Sequence, residues 1–310
     1  MPEGLSRIGF ALAAVVAAVL GALVFAPGRA EAAITSCTMT ATSVVFSAYN
    51  TQTKAAVDST GTLDIQCTGT GSSNAASVHI NFGVSGGGTC TTRRMANGAN
   101  RLNYQIYQNS GRTTNFCNGS NRLNLNFNLS TGSQTQTVTM YGRVAAAQNP
   151  VYAPTPYTDT LTIDLRAGTG GTILRTTTTT ISSMVAAICT VSAGTLGFGA
   201  YSGSQVDSTA AVSVNCSNGA PYAVALGGGG NQSGSTRRMA GPGANRLDYQ
   251  LFRDSARAIP WGDDSAQLGA RRAGTGAGSA QALTVYGRIP AAQSPAPGSY
   301  SDSVVVTVEY

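Results

Sequence analysis

Few residues in this chain are of a type and spacing that could do chemistry. His79 is the sole histidine, within Val78-His79-Ile80. A histidine base needs a nucleophile and an orienting acid, and no such arrangement is marked, so a strand histidine is the better reading. Asp263 and Asp264 are adjacent carboxylates after Trp261-Gly262. Glycosidase carboxylates flank a substrate from two sides, and neighbours in sequence seldom do; a turn role is expected. Gly227–Gly230 and the Gly274-Thr-Gly-Ala-Gly278 run lead into no Lys-Ser/Thr pair, so they read as hairpin loops rather than phosphate cradles. Trp261 is expected in a core rather than as a sugar platform. The pairs Arg93-Arg94 and Arg237-Arg238 could hold anions, but their recurrence points to a shared structural task. No catalytic residue, metal ligand or cofactor is expected, and the chain reads as a non-enzyme.

Six cysteines do imply chemistry: Cys37, Cys67, Cys90, Cys117, Cys189 and Cys216. With one histidine and no CxxC, a metal centre is disfavoured. An even count in an exported chain reads as disulfides. Export follows from the first residues. Arg7 precedes an apolar run from Ile8 to Phe25, and Ala30-Glu31-Ala32 offers a small-x-small cleavage site, so residues 1–32 read as a signal peptide.

The elements behind these residues are written twice. Arg93-Arg94-Met95-Ala96 through Leu102-Asn103-Tyr104-Gln105 returns as Arg237-Arg238-Met239-Ala240 through Leu247-Asp248-Tyr249-Gln250. Tyr141-Gly142-Arg143 returns as Tyr286-Gly287-Arg288. Both copies of the first stretch read as a basic, Gly/Asn-rich turn that runs into a strand. A period near half of the 310 residues means a duplicated domain. The repeat also suggests the disulfides. Cys37 and Cys189 open equivalent segments, and Cys67 and Cys216 close the next strands. The expected pairs are Cys37–Cys67 and Cys189–Cys216, with Cys90–Cys117 extra. Each closed loop is worth roughly 3–4 kcal/mol by chain entropy.

Only 10% of residues are charged while 42% are apolar, and Gly, Ser, Thr and Asn fill the gaps. That suits an extracellular all-β protein. The net charge of +6 is scattered and Lys54 is the only lysine, so no nucleic-acid partner is expected. Expected strands are Thr40–Phe46, Thr62–Cys67, Ser77–Phe82, Leu102–Gln108, Leu123–Leu129, Thr135–Arg143 and Thr160–Leu165. The second half adds Thr209–Cys216, Tyr222–Leu226, Leu247–Arg253, Ala282–Ile289 and Ser303–Tyr310. Leu123, Leu125 and Phe127 alternate with asparagines, the period of a half-buried strand. Turn residues separate them at Gly69–Gly71, Gly86–Gly88, Asn97-Gly98, Asn118-Gly119 and Gly132. The division is a domain over 33–167, a linker over 168–188 and a domain over 189–310. The linker opens as a hinge with Gly168, Gly170 and Gly171, then becomes β-prone.

These motifs resemble the spore coat protein U domain, also the fold unit of archaic chaperone–usher pilins. The resemblance rests on Cys189–Val191, Gly227–Met239, Leu247–Gln250, Trp261–Asp263, Tyr286–Ala291 and Tyr300–Asp302. In the first half Phe116-Cys117-Asn118-Gly119 replaces Trp-Gly-Asp. The resemblance implies two tandem immunoglobulin-like pilin β-sandwiches, the C-terminal one lacking a strand that a partner supplies. Val304, Val306, Val308 and Tyr310 are the expected partner-strand and chaperone-binding face. The implied partners are a periplasmic chaperone, an outer-membrane usher and an adjacent pilin subunit, with export through the periplasm to the cell surface. Only Ala33–Ser36 stand between the cleavage site and Cys37, too few for a donor strand. An accept-only subunit belongs at a fibre tip, serving attachment to an abiotic or host surface and biofilm formation. Thr172–Ala187 is expected to complete domain one in cis. The loop Ala145–Pro156 is two residues longer than Pro290–Ser299, and Val151-Tyr152 is its candidate adhesive tip. The alternatives are a secreted carbohydrate-binding module and a structural spore or cyst coat protein.

Overall fold

A computed structural model describes residues 33–70, 76–84, 88–117, 121–130, 132–168, 171–265 and 268–310. The expected signal peptide over 1–32, the turn residues Gly71, Gly86 and Asn118-Gly119, and Gly170 of the hinge lie outside the described residues.

The described residues form strands and connecting turns, without an α-helix. In the first half these are β1 (Ala33–Ala41), β2 (Val44–Val45), β3 (Val57–Thr70), β4 (Ala76–Phe82), β5 (Arg93–Asn97), β6 (Asn100–Tyr107), β7 (Leu123–Phe127), β8 (Ser133–Val144), β9 (Tyr157–Ala167) and β10 (Ile173–Ser183). In the second half they are β11 (Cys189–Ala193), β12 (Val206–Cys216), β13 (Pro221–Leu226), β14 (Arg237–Ala240), β15 (Arg246–Phe252), β16 (Arg272–Thr275), β17 (Ala280–Ile289) and β18 (Val306–Glu309).

Alternation of apolar and polar residues gives each strand one buried face. Leu161, Ile163 and Leu165 of β9 are all fully buried, with Thr162 and Asp164 between them on the outer face. The buried apolar residues fall into two clusters, one from Met39 to Val185 and one from Cys189 to Val308. The halves share one plan. β1-β3-β8-β6 is matched by β11-β12-β17-β15, and β7-β4-β9 by β16-β13-β18. Disulfides Cys37–Cys67 and Cys189–Cys216 pin β1 to β3 and β11 to β12, and Cys90–Cys117 ties the loop after β4 to the loop after β6.

Two expected turns or loops contain strand. The basic stretch that opens each repeat is a strand, not a turn: Arg93–Asn97 pairs with β6, and Arg237–Ala240 with β15. The turn of the first hairpin is Gly98-Ala99, where Gly98 has a φ of 56°, a conformation costly for other residues. The run at Gly274 begins inside β16, which pairs with β13.

The long β-prone segment is a strand of the first half. β10 runs antiparallel to β9 from Ile173 to Ser183 and parallel to β2 through Ile181 and Ser182. Only residues 184–188 separate it from β11, and Val185 is buried in the first cluster. The halves also touch directly. Thr51 Oγ1 donates to Ser217 Oγ at 2.9 Å, and Gln52 Nε2 donates to the Asn215 carbonyl at 2.7 Å. The loop carrying Val151 and Tyr152 lies on this seam. The Tyr152 amide donates to the Asn218 carbonyl at 2.6 Å, and a Cβ on Gly219 would meet Val151 Cγ1 at 2.6 Å. Both side chains are half-buried, so the pair is a piece of the contact between halves and not an exposed fingertip.

Candidate functional site

The first half shows what the second half lacks. β10 seats between the edge of β9 and the segment around β2, facing inward with Thr177, Thr179, Ile181 and Ser183. The Phe46 amide donates to the Ser182 carbonyl and the Tyr49 amide to the Met184 carbonyl, both at 2.8 Å. Under this cover Val44, Phe46, Tyr49, Tyr157, Leu161 and Ile163 are all within 3% of full burial.

Equivalent positions in the second half are Leu196, Phe198, Tyr201, Tyr300, Val304 and Val306, and every one is only half-buried. Among the described residues no strand pairs with Leu196–Tyr201 or with the outer edge of β18. Between them lies a cleft of about 380 Å³, lined by Leu196, Phe198, Val212, Tyr249, Val304 and Val306 among others. An apolar cleft bordered by two unpaired strand edges is a seat for one more strand.

The repeated motifs build its walls. Gly287 and its equivalent Gly142 leave room above β17 and β8. A Cβ at Gly287 would meet Leu196 Cδ2 at 2.6 Å and Phe198 Cζ at 2.8 Å, and one at Gly142 would meet Phe46 Cζ at 2.7 Å. The flanking Arg288 makes a bidentate pair with Asp207 at 2.8 and 3.0 Å, as Arg143 does with Asp58. The arginine hydrogen bond holds each aspartate below its ordinary pKa, against the opposing effect of burial. Arg257 lies over the Tyr286 ring at 5.6 Å, matching Arg112 over Tyr141 at 5.9 Å.

Arg237 is buried and donates to the carbonyls of Leu226, Gly227 and Trp261 at 2.7–3.0 Å. It staples the β14 hairpin to β13 and to the Trp261 loop, as Arg93 links Gly83 and Phe116. The first arginine of each pair is therefore a core cross-link rather than an anion site. Trp261 is fully buried and its Nε1 donates to the Val224 carbonyl at 2.8 Å; Phe116 takes its place in the first half, against Phe82. Asp302 accepts from Tyr249 Oη at 2.7 Å at the end of the cleft, and Asp159 accepts from Tyr104 Oη at 2.6 Å. Burial, reinforced by Asp302, pushes the Tyr249 hydroxyl well above its ordinary pKa, so it stays a donor. Asp263 accepts from the Ser265 amide at 3.1 Å and Asp264 pairs with Arg271 at 3.0 Å, so neither faces a substrate cleft.

Of the expected partner-strand residues, Val304 and Val306 line the cleft and Val308 is half-buried against the same cluster. Tyr310 is 60% exposed beyond the end of β18 and outside the cleft lining. Sequence reasoning missed the opposite wall, Leu196 and Phe198, and Tyr201, which packs on the same cluster. Its signal was present: Phe46-Ser-Ala-Tyr49 recurs as Phe198-Gly-Ala-Tyr201.

Comparison with known proteins agrees with this architecture. The family model described as Spore Coat Protein U domain matches residues 26–164 and again 175–307. Protein U of Myxococcus xanthus is 33% identical over 132 residues, covering 38% of this chain and 72% of that protein. Among solved structures, a chain of the CsuC–CsuE chaperone–tip adhesion subunit pre-assembly complex from archaic chaperone–usher Csu pili of Acinetobacter baumannii aligns with a TM-score of 0.51. Identity is 18%, over 89% of this chain and all of that one. The CupB6 tip adhesin from Pseudomonas aeruginosa aligns with a TM-score of 0.43 at 10% identity, over 90% of this chain and 95% of that one.

Proposed function

The chain belongs to the Spore Coat Protein U domain family, and from that premise we propose that it is a non-enzymatic subunit of an archaic chaperone–usher pilus, placed at the fibre tip. On this reading it passes through the periplasm on a chaperone, is handed to an outer-membrane usher, and accepts one strand from a neighbouring subunit. Residues 33–167 with the strand of 168–188 form the attachment domain, and 189–310 the pilin domain. Attachment to a surface, and biofilm formation through it, is the work of the first domain.

The observation that carries the reading is the open cleft over Val304 and Val306, at the place that β10 fills in the first half. The accepting-only role is supported by β1: Ala33–Ser36 are already engaged there, with Ile34 opposite Gly69. Likeness of the fold to a chain of a chaperone–tip adhesion subunit complex points the same way.

The test is co-expression with an archaic-type periplasmic chaperone. A one-to-one complex is expected, lost on Val304→Asp or Val306→Asp and retained on Val305→Ser, whose side chain is 72% exposed. A full chain that purifies alone as a stable monomer, with the aspartate variants equally stable, would remove the basis for the fibre role and favour a free-standing secreted module.

A further inference from the structure

The outer face of the β7-β4-β9 sheet in the first half carries groups that the fold does not call for. Val78, Ile80 and Phe82 of β4 enter the core, so His79 and Asn81 lie on the opposite face. His79 stands between Asn124 of β7 and Arg166 of β9, and Asn81 stands beside Asp164. Arg122 directly precedes Leu123, the partner of Ile80, which sets it level with Asn81. Directly opposed residues on one face of a sheet are near neighbours, so these six form a compact polar grid.

His79 is only 2% exposed, and its Nδ1 has no hydrogen-bond partner. Asn81 Oδ1 and Arg166 Nε likewise have no hydrogen-bond partner. Among the described residues seven buried side-chain polar atoms are left unpaired, and three of them belong to this one grid. Buried polar atoms are nearly always paired, so such a concentration asks for an outside partner. The repeat supplies a control. The second half places Ala223 between Ala273 and Glu309, and Ala225 opposite Thr307. The same sheet is built there without a histidine or an asparagine.

We propose that this face binds an acidic polysaccharide through the carboxylate and hydroxyls of a uronic acid unit. The argument is chemical. Arg122 makes no ion pair among the described residues, while Asp164 is taken up by Arg166 Nη2 at 3.2 Å and by Thr176 Oγ1 at 2.8 Å. The grid therefore has positive charge to spare, and guanidinium groups match a carboxylate. Asn81 Oδ1 is an acceptor and needs a donor from the ligand, which a sugar hydroxyl supplies. His79 adds a nitrogen that can serve as either. Burial lowers the His79 pKa and the charges of Arg122 and Arg166 lower it further, with a backbone contact to Gly168 acting the other way. Asp164 on β9 is the acidic group of the grid. A bound carboxylate offsets the two arginines and raises the His79 pKa. The inference concerns the first half alone and stands whether or not another chain fills the cleft of the second.

Because His79 is the only histidine, its imidazole proton signals report on this face without overlap. The full chain is titrated with hexagalacturonate, with a neutral galactose hexamer, with inorganic phosphate, and with sodium chloride of matched ionic strength. The expected result is a saturable shift and a raised His79 pKa with hexagalacturonate alone. Arg122→Gln is expected to weaken binding at least tenfold with the thermal midpoint unchanged. Asn124→Ala serves as a second variant should the first lose its fold. The proposal is overturned if the His79 signals do not move, if phosphate or salt moves them equally, or if folded variants bind as the parent does.

Discussion

Leu161 and Val304 occupy the same position in the two halves, one under β10 and one facing an empty cleft. Truncating each to alanine measures what the missing strand is worth. Leu161 is fully buried, so Leu161→Ala is expected to cost about 2–5 kcal/mol, transfer and cavity together. Val304→Ala removes two methyl groups, about 1.6 kcal/mol if fully buried at about 0.8 per carbon. Half-buried as it is, Val304 is expected to cost about 0.8 kcal/mol. For units of this size each kcal/mol moves the midpoint by about 3 °C. Calorimetry with a transition for each half should show the first falling by roughly 6–15 °C and the second by roughly 2–3 °C. The second half can then be closed artificially. Tyr310 is the equivalent of Ala167, so repeating residues 168–187 after Tyr310 places a copy of β10 where the cleft begins. In that chain Val304→Ala is expected to cost at least twice as much, because its methyls are now covered. Equal losses at Leu161 and Val304 in the ungrafted chain would refute the reasoning, as would a graft that leaves the second transition where it was.

Gly287→Ala pushes a methyl against Leu196 and Phe198, which form one wall of the cleft. Overpacking of about 1–3 kcal/mol is expected, with chaperone or donor-strand binding weakened more than the urea midpoint moves. Asp58 and Asp207 are held below their unfolded pKa by Arg143 and Arg288. Their contribution to stability is therefore full above the unfolded carboxylate range, about pH 4, and is lost as pH falls through the depressed folded values. Urea midpoints measured from pH 5 to 2 should fall less steeply in the double variant Asp58→Asn with Asp207→Asn.

Strand positions were legible wherever alternation was clean, as in the leucine–asparagine run of β7 or the valines of β18. The strand β5 was hidden because the first of its two inward residues, ahead of Met95, is Arg93. A buried arginine breaks the apolar pattern, and the carbonyls of Gly83 and Phe116 that make it tolerable come from distant loops. β10 was legible as a strand, and its register was not. Five successive threonines present the same side chain at every step. The register is chosen by tertiary partners: Thr179 Oγ1 donates to the Thr42 carbonyl at 2.8 Å and Ser183 Oγ to the Ser47 carbonyl at 3.2 Å. Val151 and Tyr152 failed for a related reason. Apolar residues in a long loop do not say what lies opposite, and here Asn218 and Gly219 of the other half do.

The contrast between the halves follows from tethering. β10 is tied to β9 by the short turn after Ala167 and to β11 by residues 184–188, while β11 is locked to β12 through Cys189–Cys216. Held at both ends, the strand meets its own seat at high effective concentration, so an incoming strand competes poorly there. Nor can β10 serve the second half. Five extended residues span about 17 Å, and Val185 within them is already buried in the first core. Among the described residues no strand pairs with the outer edge of β18. Exchange is thereby blocked at one seat and left open at the other. A duplicated fold supplies that asymmetry by joining one copy's last strand to the other copy's first.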